Sequence, residues 1–219
     1  MLFLGRLHRR KGTDLLIDAW ARLATTGNDM LVIAGAGDQQ ASLAAQAREL
    51  GLEDRVCFVG PVQGATKTWL LQNAVGVCLP SRQWEASPLV ALESYAAGKP
   101  LIGTCISGLE DLIRPGQTGW LAPPDSTDGL ATALAELLAD RARSRQIGLN
   151  ARKLIAAHSW RTIAARHLQL YQQVCSAPLA RPAAGRSRLP ARTVETSNMA
   201  GRNPCTRRQA AMVGQSGTA

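Results

Sequence analysis

The chain is poor in aromatic residues, 4% of 219 positions, so its core must be built from aliphatic side chains. No apolar run approaches the ~18 residues that span a bilayer, and the apolar stretch Met1–Leu4 is far too short for a secretory leader. The five Cys are scattered and form no Cys-x-x-Cys. Cys57, Cys78 and Cys105 fall in apolar, strand-like segments and are expected as buried thiols, which argues against disulfide or metal chemistry and for a reducing, cytoplasmic location. His8, His158 and His167 lack ligand spacing and read as surface residues. No Gly-x-x-x-x-Gly-Lys-Ser/Thr occurs, which excludes a P-loop. Gly35-Ala36-Gly37 begins like a dinucleotide fingerprint, but the third glycine would fall at position 40, where the chain has Gln40.

Charge of one sign is scarce over most of the length. The net charge is +9, yet residues 176–219 carry seven Arg against one acid, and residues 1–175 carry 18 bases against 15 acids. The basic excess therefore owes much to the tail and gives the folded part no case for nucleic-acid binding. An anionic ligand needs only a few cations in one place. From Ser176 onward the composition is Ala, Pro, Arg, Ser and Thr without apolar periodicity. Such a segment cannot bury enough surface to offset its ordering entropy, and a disordered tail over 176–219 is expected.

Over residues 1–175 short apolar runs alternate with helical patterns. Strands are expected at Met1–Gly5, Met30–Gly35, Arg55–Gly60, Val75–Leu79, Leu101–Thr104 and Trp120–Ala122. Helices are expected from Thr13 or Asp14, the residues able to cap it, to Thr25, over Gln39–Leu50, Thr66–Asn73 and Pro88–Gly98. Three more follow, Thr127–Ala139, Ala142–His158 and Trp160–Val174, with Ser126 and Ser159 as caps and Trp160 as a packing residue. The alternation implies an α/β fold, a doubly wound, Rossmann-like parallel sheet with C-terminal helices. In such sheets ligands bind beyond the carboxyl ends of the strands. The loops there collect Gly5, Arg6, Lys11, Gly12, Gly35, Gly37, Gly60, Ser81 and Glu85. Glycines let a ligand approach the backbone, and helix N-termini offer N–H groups to an anion, so a nucleoside diphosphate suits this rim.

The stretch Pro80-Ser81-Arg82-Gln83-Trp84-Glu85 followed by Leu92-Glu93-Ser94-Tyr95-Ala96-Ala97-Gly98-Lys99-Pro100 resembles the Glu-x7-Glu signature of the retaining glycosyltransferases of family 4, which have the GT-B fold. The resemblance covers roughly residues 2–174 and corresponds to the donor-binding half of those enzymes. It implies that Arg6 and Lys11 hold the donor diphosphate and stabilise the charge that develops on it, without a metal or other cofactor. Arg9 and Arg10 read as surface charges. Glu85 is implied as a contact to the transferred sugar and Glu93 as the acceptor of hydrogen bonds from the ribose hydroxyls. Backbone groups of Ala86, Ser87, Leu89 and Val90 would face the phosphates and sugar, and those of Val59 and Gly60 the base. Asp125 and Asp128 do not form the Asp-x-Asp of metal-dependent GT-A enzymes. Where many family members have Gly-Phe-Gly after the first Glu, this chain has Ala86-Ser87-Pro88.

The implied reaction is transfer of a hexose from a nucleoside-diphosphate sugar to a glycan or lipid-linked acceptor, with retention. In the family a separate amino-terminal domain carries the acceptor site, and the chain begins at the first strand of the donor half. It is accordingly expected to lack the acceptor domain. Two alternatives stand beside transfer: a nucleotide-sugar-binding module that needs a partner domain, and a sugar-phosphate synthase or phosphorylase relative. A glycosidase, which also uses two carboxylates, is disfavoured by the flanking residues and by the lack of sugar-stacking aromatics. No nucleic-acid partner is expected. An intact enzyme is expected in the cytoplasm, in peripheral contact with the inner face of the membrane.

Overall fold

A computed structural model describes residues 1–23, 29–86, 88–155 and 159–176. Six parallel strands form one sheet: β1 (Leu2–Leu4), β2 (Leu31–Ala34), β3 (Val56–Gly60), β4 (Val77–Leu79), β5 (Leu101–Thr104) and β6 (Gly119–Ala122), in the order β3-β2-β1-β4-β5-β6. The chain works outward from β1 to one edge, then crosses to β4 and works outward to the other. The reversal between β1 and β4 opens a crevice at their carboxyl ends, where a doubly wound sheet takes its ligand.

Successive strand side chains point to opposite faces. Phe3, Leu31, Ile33, Cys78 and Ile102 join one apolar cluster, completed by α1 (Thr13–Ala21), α2 (Gln40–Glu49) and α5 (Thr127–Ala139). Leu2, Ala34, Val77, Leu79 and Leu101 face the other, with α3 (Gly64–Asn73), α4 (Leu89–Ala96) and Ala151 of α6 (Arg141–Ile155). A sheet covered on both faces needs continuous apolar strands rather than alternating ones, and β4 and β5 are buried at every residue. At the sheet edge, β3 is buried at Val56 alone among its five residues. Cys57 is consequently exposed, against the sequence expectation, whereas Cys78 and Cys105 are buried.

Helix ends follow the local chemistry with one departure. Ser126 Oγ accepts from Gly129 N–H at 3.0 Å, as a cap should. Helix α1 instead starts from Gly12, with no side-chain cap. Gly12 is left-handed (φ 64°), and a Cβ there would lie 2.0 Å from the Pro80 carbonyl oxygen. Thr13 and Asp14 lie inside the first turn rather than before it, and the Asp14 carboxylate pairs with Arg82. Helix α3 begins at Gly64 rather than Thr66, and α1 ends at Ala21, closed by Arg22, short of the expected Thr25. Helix α7 (Trp160–Ser176) belongs to a second unit that starts at Ser159. Ser159 Oγ accepts from Thr162 N–H at 3.1 Å. Trp160 is exposed, not packed. The expected tail beyond Ser176 lies outside the described residues, as do His158 and the end of the helix expected to reach it.

Candidate functional site

The loop after β1 is threaded against the loop after β2. Gly5 N–H donates to Ala34 O at 3.0 Å, Leu7 N–H to Ala36 O at 2.9 Å and Gln39 N–H to Leu7 O at 3.1 Å. A Cβ on Gly35 would sit 1.8 Å from Gly5 O, and one on Gly37 2.1 Å from Leu7 O. Two of the glycines read as ligand-approach positions are thus required first by the contact between these two loops. Leu7 is buried, so its neighbours Arg6 and His8 are turned outward onto the crevice.

Beyond β4, Ser81 is buried and Glu85 half-buried. Glu85 Oε1 accepts from Lys11 Nζ and from Ser81 Oγ, each at 2.6 Å. Residues 74 positions apart are joined in one cluster, and the loop carrying Glu85 is fixed by its own N–H, which donates to Ser107 O at 3.0 Å. Arg6, Lys11, Gly37, Glu85 and Ala86 line one cleft of about 440 Å³. Among the described residues Arg6 has no ion-pair partner, so an unneutralised guanidinium stands beside a Lys–Glu pair. His8, Arg10, Asp38, Gln83 and Trp84 complete the lining. Sequence reasoning treated the first two as surface groups and did not single out the other three. His8 Nδ1 accepts from Arg10 N–H at 3.2 Å, an ordering role invisible in ligand-spacing rules.

A smaller adjoining pocket of about 290 Å³ is lined by Gly5, Arg6, Gly35, Ala36, Pro61 and Val62. Arg6 borders both cavities. Gly60 is left-handed (φ 71°) and Gly35 N–H donates to its carbonyl at 2.8 Å. Val59 is exposed, and neither it nor Gly60 lines the pocket, whereas the next two residues do.

Glu93 is not brought to the main cleft. It lies in a separate pocket of about 430 Å³ between α3 and α4, together with Gly64, Lys67, Thr68 and Ala97. Its Oε1 accepts from Lys67 Nζ at 2.5 Å. Among the described residues its Oε2 is buried without a hydrogen-bond partner, an arrangement that costs free energy until a donor arrives. Lys67 was missed because nothing in its local sequence marks it. The other face of α4 is anchored: Tyr95 is buried, its hydroxyl donates to Thr118 Oγ1 at 2.9 Å and lies 3.2 Å from Leu112 O, and burial pushes its phenol up to about 12. The first-turn amides of Leu89 and Val90 have no intrahelical acceptor. Leu89 is exposed and Val90 half-buried; Ser87 lies outside the described residues.

Arg82 ties this assembly together. Its guanidinium is bidentate to Asp14 (2.6 and 2.7 Å), reaches Asp125 at 2.7 Å and donates to Arg9 O at 3.0 Å. Its backbone N–H donates to Arg10 O at 2.8 Å. Burial raises the Asp14 carboxyl, but the hydrogen bonds and charge of Arg82 and the bonds from the helix backbone outweigh it, and the net value falls below the ordinary 3.8. Asp125 holds a left-handed backbone (φ 53°) while reaching Arg82. Among the described residues no three His, Cys, Asp or Glu groups stand close enough to hold a metal ion, and no helix is long and apolar enough to cross a membrane.

The family model described as Glycosyl transferases group 1 matches residues 1–154. The chain belongs to this family. Among the relatives of this group 1 domain is an uncharacterized glycosyltransferase of Methanocaldococcus jannaschii, 34% identical over 173 residues, with 78% of this chain and 44% of the relative covered. The sucrose-phosphate synthase of Thermosynechococcus elongatus superposes with a TM-score of 0.71 at 34% identity, covering 81% of this chain and 45% of the synthase. Anabaena HepE, solved in complex with UDP, superposes with a TM-score of 0.70 at 25% identity, covering 80% and 48%. The sheet is therefore that of the GT-B glycosyltransferases, and the chain spans less than half the length of each of these three relatives.

Proposed function

We propose that this group 1 domain is the donor half of a retaining, family 4 type glycosyltransferase, holding a nucleoside-diphosphate hexose for transfer to a glycan or lipid-linked acceptor carried by another domain. The observation that carries the reading is the convergence of Arg6, Lys11 and Glu85 on one cleft at the switch point of the sheet, with buried Ser81 bonded to Glu85 behind it. The binding of UDP by HepE, which shares this fold, supports it.

The two cations suit the chemistry of a departing diphosphate. As the bond from the sugar to the diphosphate breaks, negative charge grows on the leaving oxygen. Arg6 and Lys11, fixed beforehand by their loop, stabilise that charge without reorganisation and without a metal. Glu85 keeps Lys11 in place and offers its second oxygen to a sugar hydroxyl. Glu93, set in the separate pocket between α3 and α4, is assigned to the ribose hydroxyls, which must extend out of the main cleft to supply the donors that Oε2 lacks. The first-turn amides of α4 add dipoles of the same sign as the cations.

Titration calorimetry of the full chain with UDP, UDP-glucose, GDP and GDP-mannose, run once with chelator and once with added Mg2+, tests the proposal. Saturable 1:1 binding of at least one pair is expected. Failure of all four to bind removes the donor reading, and binding that requires a divalent cation removes its metal-independent form.

A further inference from the structure

The geometry points to Trp84 as the residue that reads the hexose of the donor, by laying its indole against the face of C–H groups that a pyranose presents. Trp84 is 62% exposed in a chain with five Trp, and it stands in the wall of the main cleft beside Glu85, against the sequence expectation that no aromatic is placed to stack on a sugar. An indole left in water at a polar cleft forgoes the free energy of burying a large apolar surface. A ligand with one apolar face and a polar edge recovers it.

The ring is held at this position. The Arg10 guanidinium lies 5.8 Å from the indole centroid, within cation–π range. The chain is pinned on both sides, by Arg82 N–H to Arg10 O and by Glu85 N–H to Ser107 O. The surroundings divide in a way that fits an amphipathic sugar. Arg6 and Lys11 supply the charge for a diphosphate, Glu85, Asp38 and Gln83 supply polar groups for hydroxyls, and Trp84 is the aromatic surface among them. Pockets that bind small ligands combine an apolar wall with a few placed polar groups in this manner. A nucleotide without its sugar leaves the indole uncovered.

The test, resting on the donor reading above, compares the full chain with Trp84→Ala and Trp84→Phe by calorimetric titration with UDP, UDP-glucose, GDP and GDP-mannose. For the pair that the wild type binds, Trp84→Ala is expected to weaken the nucleotide sugar about tenfold, in the range of an aromatic stacking contact, and to leave the free nucleoside diphosphate unchanged. Trp84→Phe, which keeps an aromatic face, is expected to recover most of the loss. Equal weakening of nucleotide and nucleotide sugar overturns the inference and makes Trp84 a structural support of the loop. Unchanged binding of the nucleotide sugar also overturns it, with the donor reading intact. A wild-type chain that binds none of the four ligands overturns the donor reading, and this inference with it.

Discussion

Each of the two motif carboxylates has one oxygen committed to a lysine: Glu85 to Lys11 at 2.6 Å and Glu93 to Lys67 at 2.5 Å. On the proposed reading the remaining oxygen takes the ligand. In the Glu93 pair the uncommitted Oε2 is buried without a partner among the described residues, so loss of the carboxylate should be felt by ligands carrying ribose hydroxyls. Glu93→Ala is expected to weaken UDP or GDP binding by ~1–3 kcal/mol, the usual loss for hydrogen bonds to a charged group. Inorganic pyrophosphate, which has no ribose, should bind the variant as it binds the wild type. Lys67→Met leaves the carboxylate unpaired and free to turn away. A loss of about five- to tenfold in nucleoside diphosphate affinity is expected, again sparing pyrophosphate. Competition titrations separate the two ligands directly; parallel losses for both would reduce Lys67 to a source of general positive potential.

At the scale of elements, Arg82 joins the turn before α1, helix α1 itself, the loop after β4 and the loop after β6. Its side chain is 18% exposed and that of Asp14 31%. Arg82→Ala removes a bidentate pair and leaves Asp14 with its helix backbone donors alone, which is expected to cost about 2 kcal/mol of stability. The pH dependence has a definite sign. The Asp14 carboxyl is held below its ordinary 3.8 in the folded state. The stabilisation is therefore complete above that ordinary value and is lost as pH falls through the folded-state value. Urea denaturation should show wild type and Arg82→Ala furthest apart at neutral pH and converging below about pH 4. A gap independent of pH would mean that the guanidinium acts through packing alone. Gly12→Ala should be worse than its lost flexibility suggests, because the new methyl meets the Pro80 carbonyl. Thermal melting is expected to show a loss of at least ~1 kcal/mol, from left-handed strain and the clash together.

The same scale shows why part of the site was hidden in the sequence. Asp14 looked like a helix cap because capping is a local rule, and its true partner lies 68 residues away. Lys67 and Glu93 are 26 apart, on different helices. Trp84 and Arg10 meet only because Arg82 N–H and Arg10 O close two loops on one another. Local patterns do not encode such pairings. What was legible were properties that follow from period and from turn residues: each strand within two residues, the caps at Ser126 and Ser159, and the loops that carry Arg6, Lys11, Ser81 and Glu85. The placement of these residues on one rim followed from parallel topology, since every strand then ends on the same edge. Cys57 was misplaced because an apolar run does not reveal whether its strand is central or at the edge.

At the scale of the whole molecule, the switch between β1 and β4 creates the crevice, and the two apolar clusters hold the sheet rigid beneath it. The loops after β1 and β4 supply the two halves of the Lys11–Glu85 pair, so the topology itself assembles the cluster. The match to a sucrose-phosphate synthase across this sheet at 34% identity is consistent with a scaffold whose rim residues, rather than its core, set chemistry. The most direct test is a crystal structure of the full chain grown with the nucleoside diphosphate that titration selects. The account predicts the diphosphate between the β1 loop and the start of α4, within hydrogen-bonding distance of Arg6 and Lys11, with a ribose hydroxyl on Glu93. A nucleotide bound elsewhere, or a diphosphate that leaves both cations untouched, would contradict it.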